Sequence, residues 1–308
     1  MSYSLKNQSA SQMQAIKDYY QAFIQPKAPA HAQFVAKAPG VTITAYQSGT
    51  VLFQGNNAET EGARWYNGSA TQKNSSINKK NSSGYLPKDF ATWNVVGSDE
   101  VGNGSYLGPV VVCATYVKKE HMPLLKELGV KDSKMLKDSD IIRIAEDIKH
   151  VIPYQELIVT PSKYNDIQPT YNVNRMKVAL HNQAIYLLLK KIAPEQPQGI
   201  LIDQFTPEGN YRKYLSQEKN QVQDNLYFTT KGEQYHLSVA AASIICRASF
   251  LNELAKASKE LGFTVPSGAG KASDLAAAKI LKRGGLPLLR QYAKLHFANT
   301  EKAKKLIK

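Results

Sequence analysis

The chain is nearly free of cysteine, has no long apolar run and is short of acidic residues. Cys113 and Cys246 are the only cysteines in 308 residues. Each sits in an apolar stretch, Val110–Ala114 and Ala240–Cys246, where a free thiol packs as a small hydrophobe. That usage excludes a disulfide framework and a zinc site built on thiolates. No uncharged apolar stretch approaches the ~20 residues that span a bilayer. The opening residues Met1 to Ala10 contain no apolar signal core either. The expected setting is the cytoplasm, away from membranes. Six scattered histidines complete the list of scarce metal-binding and acid–base residues.

Acids are outnumbered, 25 Asp/Glu against 39 Lys/Arg, for a net charge of +14. Such an excess favours a polyanionic partner and strengthens encounter with it through counterion release. On charge alone a solvated basic surface and an affinity for anionic membranes stay open. The charge is spread rather than gathered in a tail: residues 1–66 carry +2, residues 67–90 carry +3, and the rest carry +9. With 43% hydrophobic and 21% charged residues, the composition is that of a globular protein with room for one substantial domain and a small one.

Asn67 to Phe90 divides the two. It is dominated by Asn, Ser, Lys and Gly, too poor in apolar surface to build an ordered element, and reads as a flexible basic linker spanning roughly 27 Å as a coil. Residues 1–66 form a small α+β unit. Met13, Ile16, Tyr19/Tyr20 and Phe23/Ile24 recur at helical spacing, and Gln33–Lys37, Val41–Tyr46 and Thr50–Gln54 read as strands with a hairpin turn at Gln47-Ser-Gly. Their alternation of apolar with Thr, Gln, Lys and Tyr suits either a nucleic-acid-binding face or any half-exposed antiparallel sheet.

Residues 91–308 carry the chemistry. A strand from Thr92 runs into two adjacent acids, Asp99 and Glu100, and a glycine-rich turn leads to the apolar strand Pro109–Val117. Neighbouring residues of a strand point to opposite faces, so the two acids share one metal centre only if the backbone bends or the glutamate arm reaches round. Gly97 and Gly102 offer that freedom. Taken alone, an Asp-Glu-x-Gly segment is more often a solvated turn. A third acid, Asp203, closes the apolar strand Gly199–Asp203, which follows a long helix from about Asn174 to Ile192. A carboxylate there is costly without a partner, and strand carboxyl ends are where α/β sites are built. The fourth candidate is Glu233, between the strand-like Asn225–Thr230 and the helix beginning at Leu237. Its rival Asp224 lies before that strand. Four carboxylates with no Cys or His cluster make an oxygen-rich set suited to Mg²⁺ or Mn²⁺.

Four ordered segments carry a resemblance. Ser98-Asp-Glu-Val-Gly-Asn-Gly-Ser-Tyr-Leu-Gly-Pro, Val130-Lys-Asp-Ser-Lys, Ile200-Leu-Ile-Asp-Gln-Phe and His236-Leu-Ser-Val-Ala-Ala-Ala-Ser-Ile-Ile-Cys-Arg resemble the signature segments of type 2 ribonucleases H. Phe34–Trp65 resembles the N-terminal domain of the ribonuclease HIII branch, a domain similar in fold to half of the TATA-box-binding protein. Glutamate as fourth acid also fits that branch better than ribonuclease HII. Gly102-Asn103-Gly104 departs from the Gly-Arg-Gly usual in ribonuclease HII, which puts activity on a single ribonucleotide embedded in DNA in question.

The resemblance implies an α/β, ribonuclease-H-like mixed sheet flanked by helices. It implies an endonuclease that hydrolyses the RNA strand of RNA/DNA hybrids with two divalent ions, leaving 5′-phosphate and 3′-hydroxyl ends. Asp99 would be the shared metal ligand, Glu100 and Asp203 would complete the inner shell, and Glu233 would hold the second ion or help product leave. Gly102, Asn103 and Gly104 would read the 2′-hydroxyl through their backbone, although a lone Gly-x-Gly is more often only a turn. Ser133 and Lys134 would meet a phosphate, a helix cap with solvated lysines being the alternative. Asn172, Asn174, Lys177, His181 and Asn182 also match a family segment without a role assigned to each. The enzyme is expected to act as a monomer on hybrid duplex.

Other readings compete. RNA cleavage through the 2′-hydroxyl needs a positioned acid and base, commonly two histidines, and His181 and His236 show no convergent pairing, so packing or surface roles are expected of them. A non-catalytic nucleic-acid-binding protein on the same fold is the alternative function, against which four acids facing phosphates argue. Pro266-Ser-Gly-Ala-Gly-Lys lacks the first glycine of a phosphate-binding P-loop, because position 265 is Val265. Ala272–Arg283 and Leu286–Phe297 are expected as amphipathic helices, with the lysine-rich terminus a solvated helix face.

Overall fold

The computed structural model describes residues 2–5, 8–29, 32–65, 86–131 and 133–307. The chain divides into two compact units, Met1–Asn78 and Lys79–Lys308. Most of the expected linker, 67–85, lies outside the described residues. Residues 86–90 do not behave as linker, because Leu86 and Phe90 pack with Val95, Leu201 and Val239 of the second unit.

In the first unit, β1 (Ser2–Leu5), α1 (Ala10–Tyr19), β2 (Ala32–Ala38), β3 (Val41–Tyr46), β4 (Val51–Gln54) and α2 (Ala58–Ala63) build an antiparallel sheet of order β1-β4-β3-β2 with a helical layer on one face. Ser9 starts α1 through a capping box: its hydroxyl accepts the Gln12 N–H at 3.2 Å, and the Gln12 side chain accepts the Ser9 N–H at 3.1 Å. Met13 and Ile16 then reach Phe34, Ala36, Ile43, Ala45 and Phe53 on one sheet face. The period-2 alternation leaves Lys37, Thr42, Tyr46, Leu52 and Gln54 exposed or half-exposed. The turn after β3 falls at Gln47–Gly49 as expected, with Gly49 at φ 78°.

The second unit contains β5 (Val95–Val101), β6 (Val110–Val117), α3 (Met122–Glu127), α4 (Asp138–Val151), β7 (Tyr154–Val159), α5 (Pro161–Ile167), α6 (Val173–Ile192), β8 (Gly199–Asp203), α7 (Glu208–Leu215), β9 (Leu226–Thr229), α8 (Leu237–Leu261), α9 (Lys271–Tyr292) and α10 (Asn299–Lys305). Its sheet has the order β7-β6-β5-β8-β9 and is mixed. β5 runs antiparallel to β6, and parallel to β8, which is itself parallel to β9. β6 is buried throughout because both its faces are covered, and it is apolar but for Thr115 and the Tyr116 hydroxyl. Val111, Cys113 and Val117 face the layer containing α4 and α8, while Val110, Val112, Ala114 and Tyr116 face that containing α6. Each fully buried valine contributes roughly 1.5–3 kcal/mol of transfer free energy.

α8 lies against the centre of the sheet. A Cβ on Gly97 would stand 2.4 Å from both Ser238 Oγ and Val239 N, so glycine at that point of β5 lets the helix start touch the strand. Thr115 Oγ1 fastens the contact by donating to the Ser238 carbonyl at 2.7 Å. α8 is long and apolar enough to cross a membrane, yet 72% of its most apolar window is buried inside the unit, as befits a core helix. At the C-terminal end the two expected helices run together as α9, interrupted at Gly284 and Gly285. The second ends at Tyr292 rather than Phe297, because Ala293 bridges Leu107 and the Lys294 N–H turns to the Tyr106 carbonyl at 2.9 Å.

Candidate active site

The sheet topology brings the acids together. β5 and β8 are parallel neighbours in the register Ser98↔Ile202, so Asp99 and Asp203 follow side by side at the carboxyl ends of adjacent strands. β5 stays regular through both of its acids, with Asp99 opposite Cys113 and Glu100 opposite Val112. Gly97 therefore does not bend the strand, contrary to the sequence-based expectation; its missing side chain serves the approach of α8. Asp99 and Glu100 take opposite faces and meet in one cleft because both strands end there.

Asp99 faces α8. The Cys246 thiol donates to its carbonyl at 3.3 Å, its carboxylate accepts the Glu100 N–H at 2.7 Å, and Ser243 hydrogen-bonds to it. Glu100 turns to α6, where Lys177 Nζ donates to Oε1 at 2.8 Å and His181 Nε2 stands 2.9 Å from Oε2. His181 is fully buried and its Nδ1 lies 2.6 Å from Ser98 Oγ. The expectation of a mere packing or surface role for His181 is thus corrected: it orients an acid of the cleft. His236, by contrast, is buried away from those acids. Its Nε2 stands 3.1 Å from the Trp93 carbonyl, and its Nδ1 accepts the Ser238 N–H at 3.1 Å, capping α8.

Glu233 arrives on a tight turn after β9. Lys231 takes a left-handed conformation, φ 60°, which aims the Gly232 N–H at Asp203 Oδ1, 2.9 Å away. The Glu233 carboxylate is almost wholly buried and pairs with Lys134 Nζ at 3.2 Å. Lys134 and Ser133 sit on a short 3₁₀ turn, Ser133–Met135, and Ser133 Oγ is 2.9 Å from Ser243 Oγ. Asp224 is exposed in the turn before β9 and does not line the cleft.

The resulting cleft has a volume of about 510 Å³ and brings Asp99, Glu100, Asp203, Glu233, Ser133 and Lys134 together. Asp138, Ser243 and Arg247 join them, and sequence reasoning singled out none of the three. Burial pushes the Asp99 carboxyl up to about 8, and the neighbouring Glu100 and Asp203 add to the rise. Asp203 is raised by burial too, against the opposing Gly232 N–H. Burial also acts on Glu100, but His181 and Lys177 outweigh it and hold that carboxyl at about 2. As the side chains stand, no three acids, histidines or cysteines among the described residues converge tightly enough to enclose an ion. Glu100 is held instead by Lys177 of α6, behind the cleft, and Glu233 by Lys134 on its rim. The donor set nevertheless fits divalent metal: it is all oxygen, it is crowded with like charge, and a hard cation would offset both the burial of Asp99 and its repulsion by Glu100 and Asp203.

A family model described as Ribonuclease HII matches residues 96–300. A second, described as a domain of unknown function (DUF3378), matches residues 5–78. The chain is 64% identical over 274 residues to the ribonuclease HIII of Enterococcus faecalis (strain ATCC 700802 / V583), covering 89% of each. It is 48% identical over 302 residues to that of Bacillus mycoides (strain KBAB4), covering 97% of each. The chain belongs to the type 2 ribonuclease H family, with the ribonucleases HIII. A solved structure, that of Bst-RNase HIII in complex with Mn²⁺, is 38% identical and superposes with a TM-score of 0.70, covering 100% of this chain and 99% of that one.

The glycine loop of this type 2 ribonuclease H follows β5 directly. Gly102 sits at φ 95°, where a Cβ would fall 2.2 Å from the Pro109 carbonyl, so it is required by the loop itself. Its carbonyl is taken by the Ser105 N–H at 3.1 Å. Around Gly104 nothing lies within 4 Å of a built Cβ, so that backbone is open to a close approach. Of the α6 family segment, Lys177 and His181 serve Glu100. Asn172 caps the helix through the Arg175 N–H at 2.9 Å, and Asn182 accepts the Val222 N–H at 2.9 Å.

Proposed function

We propose that this chain hydrolyses the RNA strand of RNA/DNA hybrids, with Asp99, Glu100, Asp203 and Glu233 as the carboxylates that hold two divalent ions, Mg²⁺ or Mn²⁺. The observation that carries the assignment is that Asp99 and Asp203 directly follow the last register pair of two adjacent parallel strands, in one cleft with Glu100 and Glu233. When bound, such ions supply an activated water for in-line attack on the phosphate and stabilisation of the leaving 3′-oxygen, giving 5′-phosphate and 3′-hydroxyl ends.

The chain's own residues prepare that chemistry. Lys177 and His181 keep Glu100 ionised and oriented, and the Gly232 N–H fixes the rotation of Asp203. Lys134, exposed beside Ser133 and paired with Glu233, would exchange that carboxylate for a substrate phosphate. The open backbone at Gly104, with Gly102 and Asn103, would meet the sugar edge, where the 2′-hydroxyl distinguishes RNA from DNA. Residues 1–66 would supply a second grip on the duplex. The reading places the enzyme in the cytoplasm, as a monomer acting on nucleic acid and not at a membrane.

Duplexes of one sequence as RNA/DNA, RNA/RNA and DNA/DNA, incubated side by side with Mg²⁺, Mn²⁺ or a chelator, test the assignment. Scission confined to the RNA strand of the hybrid and lost with chelator is expected. Equal cutting of all three duplexes, or cutting that survives chelation, overturns it.

A further inference from the structure

One ion pair in the cleft serves none of the four acids. Arg247, one turn beyond Ser243 on α8, reaches Asp138, the first residue of α4, with Nη2 3.2 Å from Oδ1. Both residues line the same cleft as Asp99, Glu100, Asp203 and Glu233. Among the described residues, five acids therefore face that space against two cations, Lys134 and Arg247. The ionised acids among them repel an entering phosphodiester chain, and the two cations and any bound metal draw it in.

The pair is poorly suited to being a structural staple. α4 is already docked through Ile141, Ile144 and Ile148, buried in one cluster with Ile244, Ile245 and Ala248 of α8. The Arg247 and Asp138 side chains keep 34% and 57% of their exposure, so the pair is solvated and contributes little to stability. A guanidinium fork held so loosely is easily transferred to a phosphate, whose oxygens it matches in a bidentate fashion.

Resting on the hybrid-cutting reading, we infer that Arg247 holds a backbone phosphate of the bound hybrid and is kept in position by Asp138 until that phosphate displaces the carboxylate. Asp138 is then a positioning residue that competes with substrate, and Arg247 a substrate-binding one.

The test uses the full chain and its Arg247→Met, Arg247→Lys, Asp138→Asn and Arg247→Met/Asp138→Asn variants. Steady-state cleavage with Mg²⁺ is combined with the affinity for a fluorescein-labelled RNA/DNA hybrid, read by anisotropy without divalent ion at two salt concentrations. Arg247→Met is expected to weaken binding roughly 5- to 20-fold, to raise KM more than it lowers kcat, and to make the salt slope shallower by about one. Arg247→Lys recovers part of the loss. Asp138→Asn tightens binding by up to about fivefold, and that gain shrinks when Arg247 is methionine. An equal gain from Asp138→Asn in both backgrounds, reporting simple charge repulsion, overturns the handover. So does an Arg247→Met variant with unchanged affinity and salt slope, whether or not its stability falls. Failure of the wild-type chain to cut hybrid would instead defeat the functional assignment itself.

Discussion

Asp203 and Glu233 separate charge from shape most cleanly. Asp203 needs one oxygen to accept the Gly232 N–H at 2.9 Å, and asparagine keeps that oxygen. Asp203→Asn should therefore fold normally, bind hybrid as well as or better than the parent, and lose at least about a thousandfold in kcat, because the amide no longer holds cations. Near-parental turnover with Mg²⁺ would show the metal site to be misplaced. Glu233→Gln should likewise cost far more turnover than Asp224→Asn, since only Glu233 lines the cleft. Similar losses in the two variants, measured at saturating hybrid, would move the fourth acid. The acids were legible in the sequence because a carboxylate closing an apolar strand, as Asp203 does, is expensive without a function. Their partners were not. Lys177 and His181 lie 77 and 81 positions beyond Glu100, and only the packing of α6 on the sheet brings them to it. Arg247 and Asp138 are hidden for the same reason, being 109 residues apart.

Two glycines define what the elements around the site tolerate. Gly97→Ala would drive a Cβ to 2.4 Å from the backbone of α8, which cannot yield as a flexible side chain does. A loss of about 2–3 kcal/mol is expected, visible as a lower urea midpoint of the catalytic unit. An unchanged midpoint would mean that α8 does not rest on β5 there. Gly104→Ala has open space around the new methyl and should leave the unfolding curve alone. If the loop backbone meets the sugar edge, the same variant raises KM for hybrid several-fold; an unaltered KM would remove Gly104 from the substrate surface. Alternation makes β3 readable, and unbroken apolar runs make β6 and β8 so. β7 carries no such signal, because Tyr154–Val159, an edge strand, is half-buried along most of its length and shows no clean alternation. The break in α9 was legible in Gly284-Gly285, but its end was not, since Tyr292 is set by contacts with residues near Leu107.

At the scale of the whole chain, the four cleft acids all belong to the second unit, while the first presents a polar sheet face. Residues 1–85 hold eight Lys/Arg and three Asp/Glu, a net +5. Leu86 and Phe90 pack into the second unit, so the cut that tests the first unit falls after residue 85 rather than after 90. If the first unit is a second grip on the same duplex, its removal lowers affinity through lost effective concentration and leaves bond breaking nearly intact. Fewer phosphates are then neutralised, and the dependence of affinity on salt becomes shallower. The expected outcome is a KM raised at least about tenfold, with kcat at saturating hybrid falling much less. Michaelis analysis of truncated and full-length chains at two salt concentrations provides the measurement, with circular dichroism confirming that the truncated chain is folded. A folded truncation with the parental KM and salt slope would refute a substrate-gripping role, leaving the Lys37–Thr42–Gln54 face of the small sheet to some other partner.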